Sequence, residues 1–141
     1  MKPGSAPILP SSLERKLESL MESLQKLSEE ALKGVPVVVE GRKDSAALRR
    51  LGIRAKVVRV KSSGKVLADV LDGIEGGEVI LMVDFDRDGV ELAKQITTYL
   101  EGKRVKVNSL FWKEIGALVK RDVKDVEGLP SFLEKLKKKV G

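Results

Sequence analysis

Four acidic side chains follow two apolar segments that have the composition of buried strands. Residues 35–39 run directly into Glu40, and residues 78–83 run into a loop of alternating aspartates, Asp84, Asp86 and Asp88. If these strands are neighbours in a parallel sheet, their carboxyl ends place the acids across a short gap, where open α/β sheets bind ligands. Carboxylates packed so closely repel one another unless a cation lies between them. Oxygen ligands select a hard ion, so the pattern predicts a Mg²⁺ site, with Mn²⁺ as the alternative, that shares its ion with substrate phosphates.

The aspartate loop also has an explanation without a metal, because aspartate is a favoured cap at the start of a helix. A helix is expected directly after the loop, and we assign the capping role to Asp88. An EF-hand is excluded, since the twelfth position counted from Asp84 is Gln95 and not a glutamate. Gly41 and Gly89 directly follow acids and are expected to let a substrate strand approach the backbone.

The composition limits the chemistry that these acids could serve. The sequence contains no histidine and no cysteine, which excludes a thiolate nucleophile, a zinc-thiolate site and the usual histidine base. It contains no apolar segment of the ~20 residues that span a bilayer, so we expect a soluble, cytoplasmic protein without a membrane partner. The formal charge of +6 favours nucleic acid as a partner, although the high charge content is equally typical of hot-adapted proteins with surface ion pairs.

Basic residues lie next to the predicted acidic site. Arg42 and Lys43 follow Glu40, and the loop after the second predicted strand contains Lys61, Ser62 and Lys65. Ammonium groups, hydroxyls and the amides of the following helix start could together bind a phosphate. The alternatives are that the cations neutralise neighbouring acids and that the loop is merely polar. The spacing is not that of a nucleotide-binding P-loop.

Two aromatic residues have competing interpretations. Trp112 lies beside a lysine and could stack on an unpaired base, but core packing is the interpretation we favour. Tyr99, the sole tyrosine, falls in a helical pattern and is expected to be a packing or surface residue rather than a nucleophile.

Short apolar segments alternate with helical periodicity after residue 34. This order predicts an α/β fold with a four-stranded parallel sheet and helices on both faces. The predicted strands are residues 35–39, 56–60, 78–83 and 104–107, and the predicted helices are residues 44–51, 66–71, 90–100, 111–120 and 131–139.

The chain begins with ten residues that include three prolines, and we expect residues 1–10 to be flexible. Residues 11–34 show apolar positions at steps of three and four, which predicts a long amphipathic helix capped by Ser11 or Ser12 and ended by Gly34. Its apolar stripe could pack on the rest of the domain, which we favour, or join two chains into a homodimer.

Two segments resemble the signature motifs of a known family. Residues 40–46, Glu-Gly-Arg-Lys-Asp-Ser-Ala, and residues 84–89, Asp-Phe-Asp-Arg-Asp-Gly, are similar to the two motifs of the Toprim domain. That domain is shared by type IA and type II topoisomerases, bacterial-type primases, recombination-repair proteins and the nuclease that matures 5S ribosomal RNA. The resemblance covers roughly residues 35–108, and the size of the chain is similar to that of small stand-alone Toprim proteins.

The resemblance implies a Rossmann-like Toprim domain over residues 35–141, with C-terminal helices as an extension. It implies that Glu40 acts as general acid and base or shares a metal, that Asp84 and Asp86 bind Mg²⁺, and that Asp88 supports a second ion. The separate domain with a nucleophilic tyrosine that topoisomerases need has no counterpart here, so strand passage is not expected.

Two functional hypotheses follow. The first is a Mg²⁺-dependent nuclease acting on RNA or DNA, similar to the 5S ribosomal RNA maturation enzyme. The second is a non-catalytic Toprim module that binds RNA or a nucleoprotein. Primase-like nucleotidyl transfer is the weakest alternative, because neither a zinc ribbon nor a second catalytic subdomain is recognisable.

Overall fold

The structure, a computed structural model, describes residues 11–61 and 64–141. Its centre is a parallel four-stranded sheet with the strand order β2-β1-β3-β4. The strands are β1 (Val37–Val39), β2 (Val57–Arg59), β3 (Glu78–Leu81) and β4 (Lys106–Asn108). Because β1 and β3 are hydrogen-bonded neighbours, Glu40 and Asp84 follow strands that end side by side. The predicted fold class is confirmed.

Six α-helices and one 3-10 helix surround the sheet in the described residues. The α-helices are α1 (Ser12–Leu32), α2 (Arg42–Arg50), α3 (Leu67–Asp72), α4 (Arg87–Gly102), α5 (Leu110–Val119) and α6 (Leu129–Val140). The 3-10 helix (Val126–Gly128), which was not predicted, joins α5 to α6. None of the helices in this part of the chain combines the length and apolarity needed to cross a bilayer.

Apolar side chains cover both faces of the sheet. Val37 and Val39 belong to one core with residues of α1, α2, α5 and α6, whereas Val38 belongs to a second core with α3 and α4. Successive strand residues point to opposite faces, so a strand covered on both sides is apolar at every position. This explains the continuous valine segment of β1.

Helix α1 uses its apolar stripe inside the chain. Ser11 caps the helix by accepting a hydrogen bond from the Glu14 N–H at 3.1 Å, and the chain turns at Gly34 with a φ of +95°. Leu20 and Leu27 are fully buried in the core that α5 and α6 share. The central part of the stripe is therefore buried within the chain, whereas Leu13, Met21 and Leu32 are exposed, and the homodimer stays a prediction. The predicted flexibility of residues 1–10 lies outside the described residues.

Candidate functional site

Glu40 and Asp84 meet where β1 and β3 end. Glu40 is buried, with 8% of its surface exposed, and its Oε2 accepts a hydrogen bond from the backbone N–H of Asp84 at 3.0 Å. This contact joins residues that are 44 positions apart in the sequence. The first acid is thus held in place by the backbone of the second, and its orientation follows from the pairing of β1 with β3.

Lys61 neutralises Glu40. Its Nζ lies 2.8 Å from Glu40 Oε1, and its backbone N–H donates to the Glu40 carbonyl at 2.8 Å. The hydrogen bond to Glu40 raises the pKa of Lys61, which therefore remains charged. Of the two sequence-based interpretations, neutralisation of an acid describes this contact, and contact between Lys61 and a phosphate stays a prediction.

The C-terminal part of the chain holds the Asp84 turn. The backbone N–H of Val126 donates to Asp84 Oδ1 at 3.3 Å, and the Phe85 N–H donates to the Lys124 carbonyl at 2.7 Å. The indole N–H of Trp112 donates to the carbonyl of Val83 at 2.9 Å and also contacts that of Asp84 at 3.3 Å. Trp112 is partly buried and packs against both cores, in agreement with the core interpretation.

Negative charge accumulates around Asp84. Burial raises the pKa of Asp84 to about 7, the charge of Glu40 adds to this effect, and the Val126 N–H opposes it. Asp44 and Asp125 raise this pKa further. Burial also raises the pKa of Asp44, whose Oδ2 accepts a hydrogen bond from the Gly41 N–H at 3.0 Å. The site therefore contains more negative charge than Lys61 alone compensates.

A shallow pocket of about 330 Å³ opens at this point. It brings together residues 40–44 of the first Toprim-like motif and one aspartate of the second motif, Asp84. Its lining is Glu40, Gly41, Arg42, Lys43, Asp44, Lys61, Asp84, Asp125 and Glu127. The pocket does not include Asp86, Asp88 or Lys65, and Ser62 lies outside the described residues. We call this the carboxylate pocket.

Asp86, and not Asp88, caps α4. Asp86 Oδ1 accepts a hydrogen bond from the Gly89 N–H at 2.8 Å, whereas Asp88 is an exposed residue in the first helical turn. The assignment of the cap to Asp88 was wrong because α4 begins three residues before the predicted helix. The predicted metal roles of both aspartates stay predictions.

Gly89 allows a close approach, but to the protein's own backbone. A Cβ atom at this position would overlap the carbonyl group of Asp84, so only glycine lets α4 begin so close to the site. The close backbone approach predicted at Gly89 is present within the chain itself, and the approach of a substrate strand at this point stays a prediction. At Gly41, by contrast, a Cβ atom would meet open space.

Sequence reasoning assigned no role to Asp44, Asp125 or Glu127. Asp44 had a recognisable signal, because it stands three residues after the helix cap Gly41, at the spacing of a capping box. Asp125 and Glu127 had none, since they reach the pocket only through the packing of the segment between α5 and α6.

The chemistry of the pocket fits a hard cation. Its acidic donors are all carboxylate oxygens, and the charges of Glu40, Asp44 and Asp125, which add to the effect of burial on the pKa of Asp84, are ones that a divalent ion would compensate. In residues 11–61 and 64–141, no group of three or more acids is already arranged as a metal cage. Mg²⁺ typically uses one or two carboxylates and several waters, so Glu40 and Asp84 form a sufficient pair.

Comparisons with known proteins agree with this geometry. The Toprim domain family matches residues 35–110. A UPF0292 protein of Thermococcus onnurineus is 42% identical over 94 residues, covering 66% of this chain and 69% of its own. A UPF0292 protein of Methanocaldococcus jannaschii is 34% identical over 119 residues, covering 84% and 92%.

Among solved structures, a protein from Aquifex aeolicus is similar, with a TM-score of 0.62 and 30% identity. The match covers 75% of this chain and 94% of that one. The domain match at residues 35–110 includes both strands that lead into Glu40 and Asp84. The chain belongs to the Toprim domain family, with UPF0292 proteins as its relatives.

Proposed function

We propose that this protein is a Mg²⁺-dependent nuclease that hydrolyses phosphodiester bonds in RNA or DNA. The observation that carries the proposal is the pairing of Glu40 with Asp84 at adjoining strand ends, with the pKa of Asp84 raised to about 7 by burial and by the charge of Glu40. Two acids held together against their own repulsion are typical of a site built for a cation and for proton transfer.

Glu40 and Asp84 would hold the ion, and Asp86 and Asp88 stay predicted contributors. When bound, Mg²⁺ supplies a Lewis acid for the phosphoryl oxygens and lowers the pKa of an attacking water. Glu40 Oε2 accepts from the Asp84 backbone N–H and Oε1 pairs with the side chain of Lys61, so we assign proton transfer to Oε1, whose partner is a side chain that can move aside. Lys61, which is paired with Oε1, would have to release that oxygen before it accepts a proton.

Hydrolysis is favoured over covalent strand transfer by the position of Tyr99. Its hydroxyl donates to Asp72 Oδ1 at 2.6 Å, and it does not line the carboxylate pocket. Arg42 and Lys43, at the mouth of the pocket, are the cations for the substrate phosphates. RNA processing or DNA repair in the cytoplasm is the setting we propose.

A cleavage assay with labelled RNA and DNA substrates, in Mg²⁺ and in Mn²⁺, tests the proposal. Glu40→Gln and Asp84→Asn each keep the side-chain shape and should lower the cleavage rate by at least about 10²-fold, the usual minimum for a lost catalytic acid or base. Glu134→Gln removes an exposed acid on α6 and should cleave like the unmodified protein. Undiminished cleavage by a folded Glu40→Gln Asp84→Asn double variant would refute the proposal.

One observation favours the alternative of a binding module without turnover. Glu40 is already paired with Lys61, and no cage of three acids is arranged for a metal within the described residues. A module of this kind would bind nucleic acid in a salt-sensitive way and release no product in either metal. The same assay, combined with a binding measurement, separates the two functions.

A further inference from the structure

A second depression lies between α2 and the edge strand β2. Its volume is about 780 Å³. Its floor is aliphatic, and its polar lining consists of one serine and three exposed arginines. The lining residues are Ser45, Leu48, Arg49, Gly52, Ile53, Arg54, Ala55, Val57 and Arg59. We call this depression the arginine groove.

The groove continues from the carboxylate pocket along α2. Arg42 lines the pocket, while Ser45 and Arg49 line the groove, and positions three and four apart share one face of a helix. The rise from Arg42 to Arg49 is about 10 Å, since an α-helix rises about 1.5 Å per residue. That distance equals about three phosphate-to-phosphate steps along one strand of a duplex, which is the axial span of about four successive phosphates.

The strand β2 makes the same connection independently. Arg59 lines the groove and Lys61 lines the pocket, on either side of the buried Val60. Both α2 and the chain at the end of β2 therefore place basic residues in the carboxylate pocket and in the arginine groove.

The charge of the groove is not compensated by the protein. Within the described residues, Arg49, Arg54 and Arg59 have no carboxylate oxygen within 4.0 Å, and the lining contains no acid. The depression between α1 and α6 differs, because its four lysines are accompanied by Asp122 and Asp125. Three guanidinium groups in one groove repel each other, and an anion placed between them relieves that repulsion.

We propose that the arginine groove binds the phosphodiester backbone of the nucleic acid whose scissile phosphate lies in the carboxylate pocket. The substrate class rests on the proposed function. Guanidinium groups bind phosphate through two parallel hydrogen bonds. The lining contains no aromatic side chain for base stacking, so recognition is of the backbone and independent of base sequence.

Arginines near an open sheet edge also discourage pairing with another chain. That role explains Arg59 on β2, but Arg49 lies on α2 and Arg54 precedes the strand. Protection of the sheet edge requires charge only on the edge strand. Binding of a polyanion along the groove, by contrast, uses charges on α2, on β2 and on the segment between them.

The test is fluorescence anisotropy of a labelled duplex and its single strand, each about 16 nucleotides long, in EDTA so that no cleavage occurs. The groove variant changes Arg49, Arg54 and Arg59 to Gln. The matched control changes Lys106, Lys113 and Arg121 to Gln, which removes the same charge from exposed positions away from both depressions. A third protein, with Lys at all three groove positions, retains the charge. Comparison with it separates an effect of lost charge in the groove variant from an effect of misfolding.

At about 0.1 M salt, loss of three phosphate contacts should weaken single-strand binding by about 10²-fold and reduce the salt slope by about 2; for a duplex the slope change is about 3. The Lys protein should keep the slope, and the control should lose much less affinity. The arm in which the groove variant shows the full expected slope change, about 2 for the single strand or about 3 for the duplex, identifies the preferred source of the backbone. Equal losses in groove variant and control, or no loss in either, would overturn the inference. Cleavage is not needed for any of these results, so failure of the nuclease proposal would be recognised separately.

Discussion

In the absence of metal, ionisation of the Asp84 carboxyl should make the free energy of unfolding depend measurably on pH. Burial, followed by the charge of Glu40, raises its pKa from the ordinary value of 3.8 to about 7. Well below pH 3.8 the carboxyl is protonated in both the folded and the unfolded chain, so it does not affect the free energy of unfolding. As the pH rises towards 7 the unfolded chain ionises first, and the stability of the fold falls; above pH 7 the loss is complete. Asp84→Asn, which keeps an oxygen for the Val126 N–H, should remove that loss.

The magnitude follows from the difference between the two pKa values. At 1.36 kcal/mol per pH unit, the full difference would correspond to about 4 kcal/mol. Asp84 is only partly buried, so solvent screening reduces the effect to about 1–2 kcal/mol. For a chain of this size, that gain raises the melting temperature by roughly 3–8 °C.

Thermal unfolding in EDTA at pH 5 and at pH 8, followed by circular dichroism, measures the effect. Asp84→Asn should be more stable than the unmodified protein at pH 8, with a much smaller difference at pH 5. Asp88→Asn is the matched control with the opposite sign, because Asp88 is exposed in the first turn of α4 and its charge favours the helix by about 0.3–1 kcal/mol. A difference for Asp84→Asn that is absent at pH 8, or equal at both pH values, would refute the reasoning.

Three further perturbations probe the support of the site. Gly89→Ala should cost about 1–3 kcal/mol in urea unfolding because its Cβ overlaps the Asp84 carbonyl, whereas Gly102→Ala in the same helix meets open space and should be neutral or stabilising; equal effects would contradict the crowding. Trp112→Phe removes the indole N–H from the Val83 and Asp84 carbonyls and should lower the free energy of unfolding by about 1–2 kcal/mol, and an unchanged urea midpoint would contradict that contact. Added Mg²⁺ should raise the melting temperature more at pH 8 than at pH 6, since protons compete for Asp84, and an equal rise at both pH values would argue against Asp84 as a ligand.

The parallel sheet could be predicted from the sequence because each signal was local. Continuous valine-rich segments indicate strands covered on both faces, and their alternation with helices fixes the parallel arrangement. The meeting of Glu40 with Asp84 followed from one further assumption, that β1 and β3 are neighbours, and the strand order confirms it.

The start of α4 could not be predicted as well, for a physical reason. Its first turn, Arg87–Asp88–Gly89, contains no apolar residue, so the helical periodicity becomes visible only from Val90. The cap was consequently placed on Asp88, two residues too late. A cap is defined by the hydrogen bond of Asp86 to the Gly89 N–H, which apolar spacing does not report.

The contacts of the site that could not be predicted from the sequence are those made by the C-terminal segment. Trp112 and Val126 lie outside residues 35–110, the part of the chain that the Toprim family matches, yet both donate hydrogen bonds to the Asp84 turn. The Val126 N–H lowers the pKa of Asp84 because it stabilises the ionised carboxyl. Burial has the opposite effect, because it destabilises the ionised form and raises this pKa. Residues of the C-terminal part therefore help to hold the Asp84 turn, and the Val126 N–H partly offsets the effects of burial and of Glu40 on the pKa of Asp84. The two family motifs identify the acids, but in this chain the segment between α5 and α6, which lies outside the family match, also modifies how readily the second acid ionises, through the Val126 N–H and the charge of Asp125.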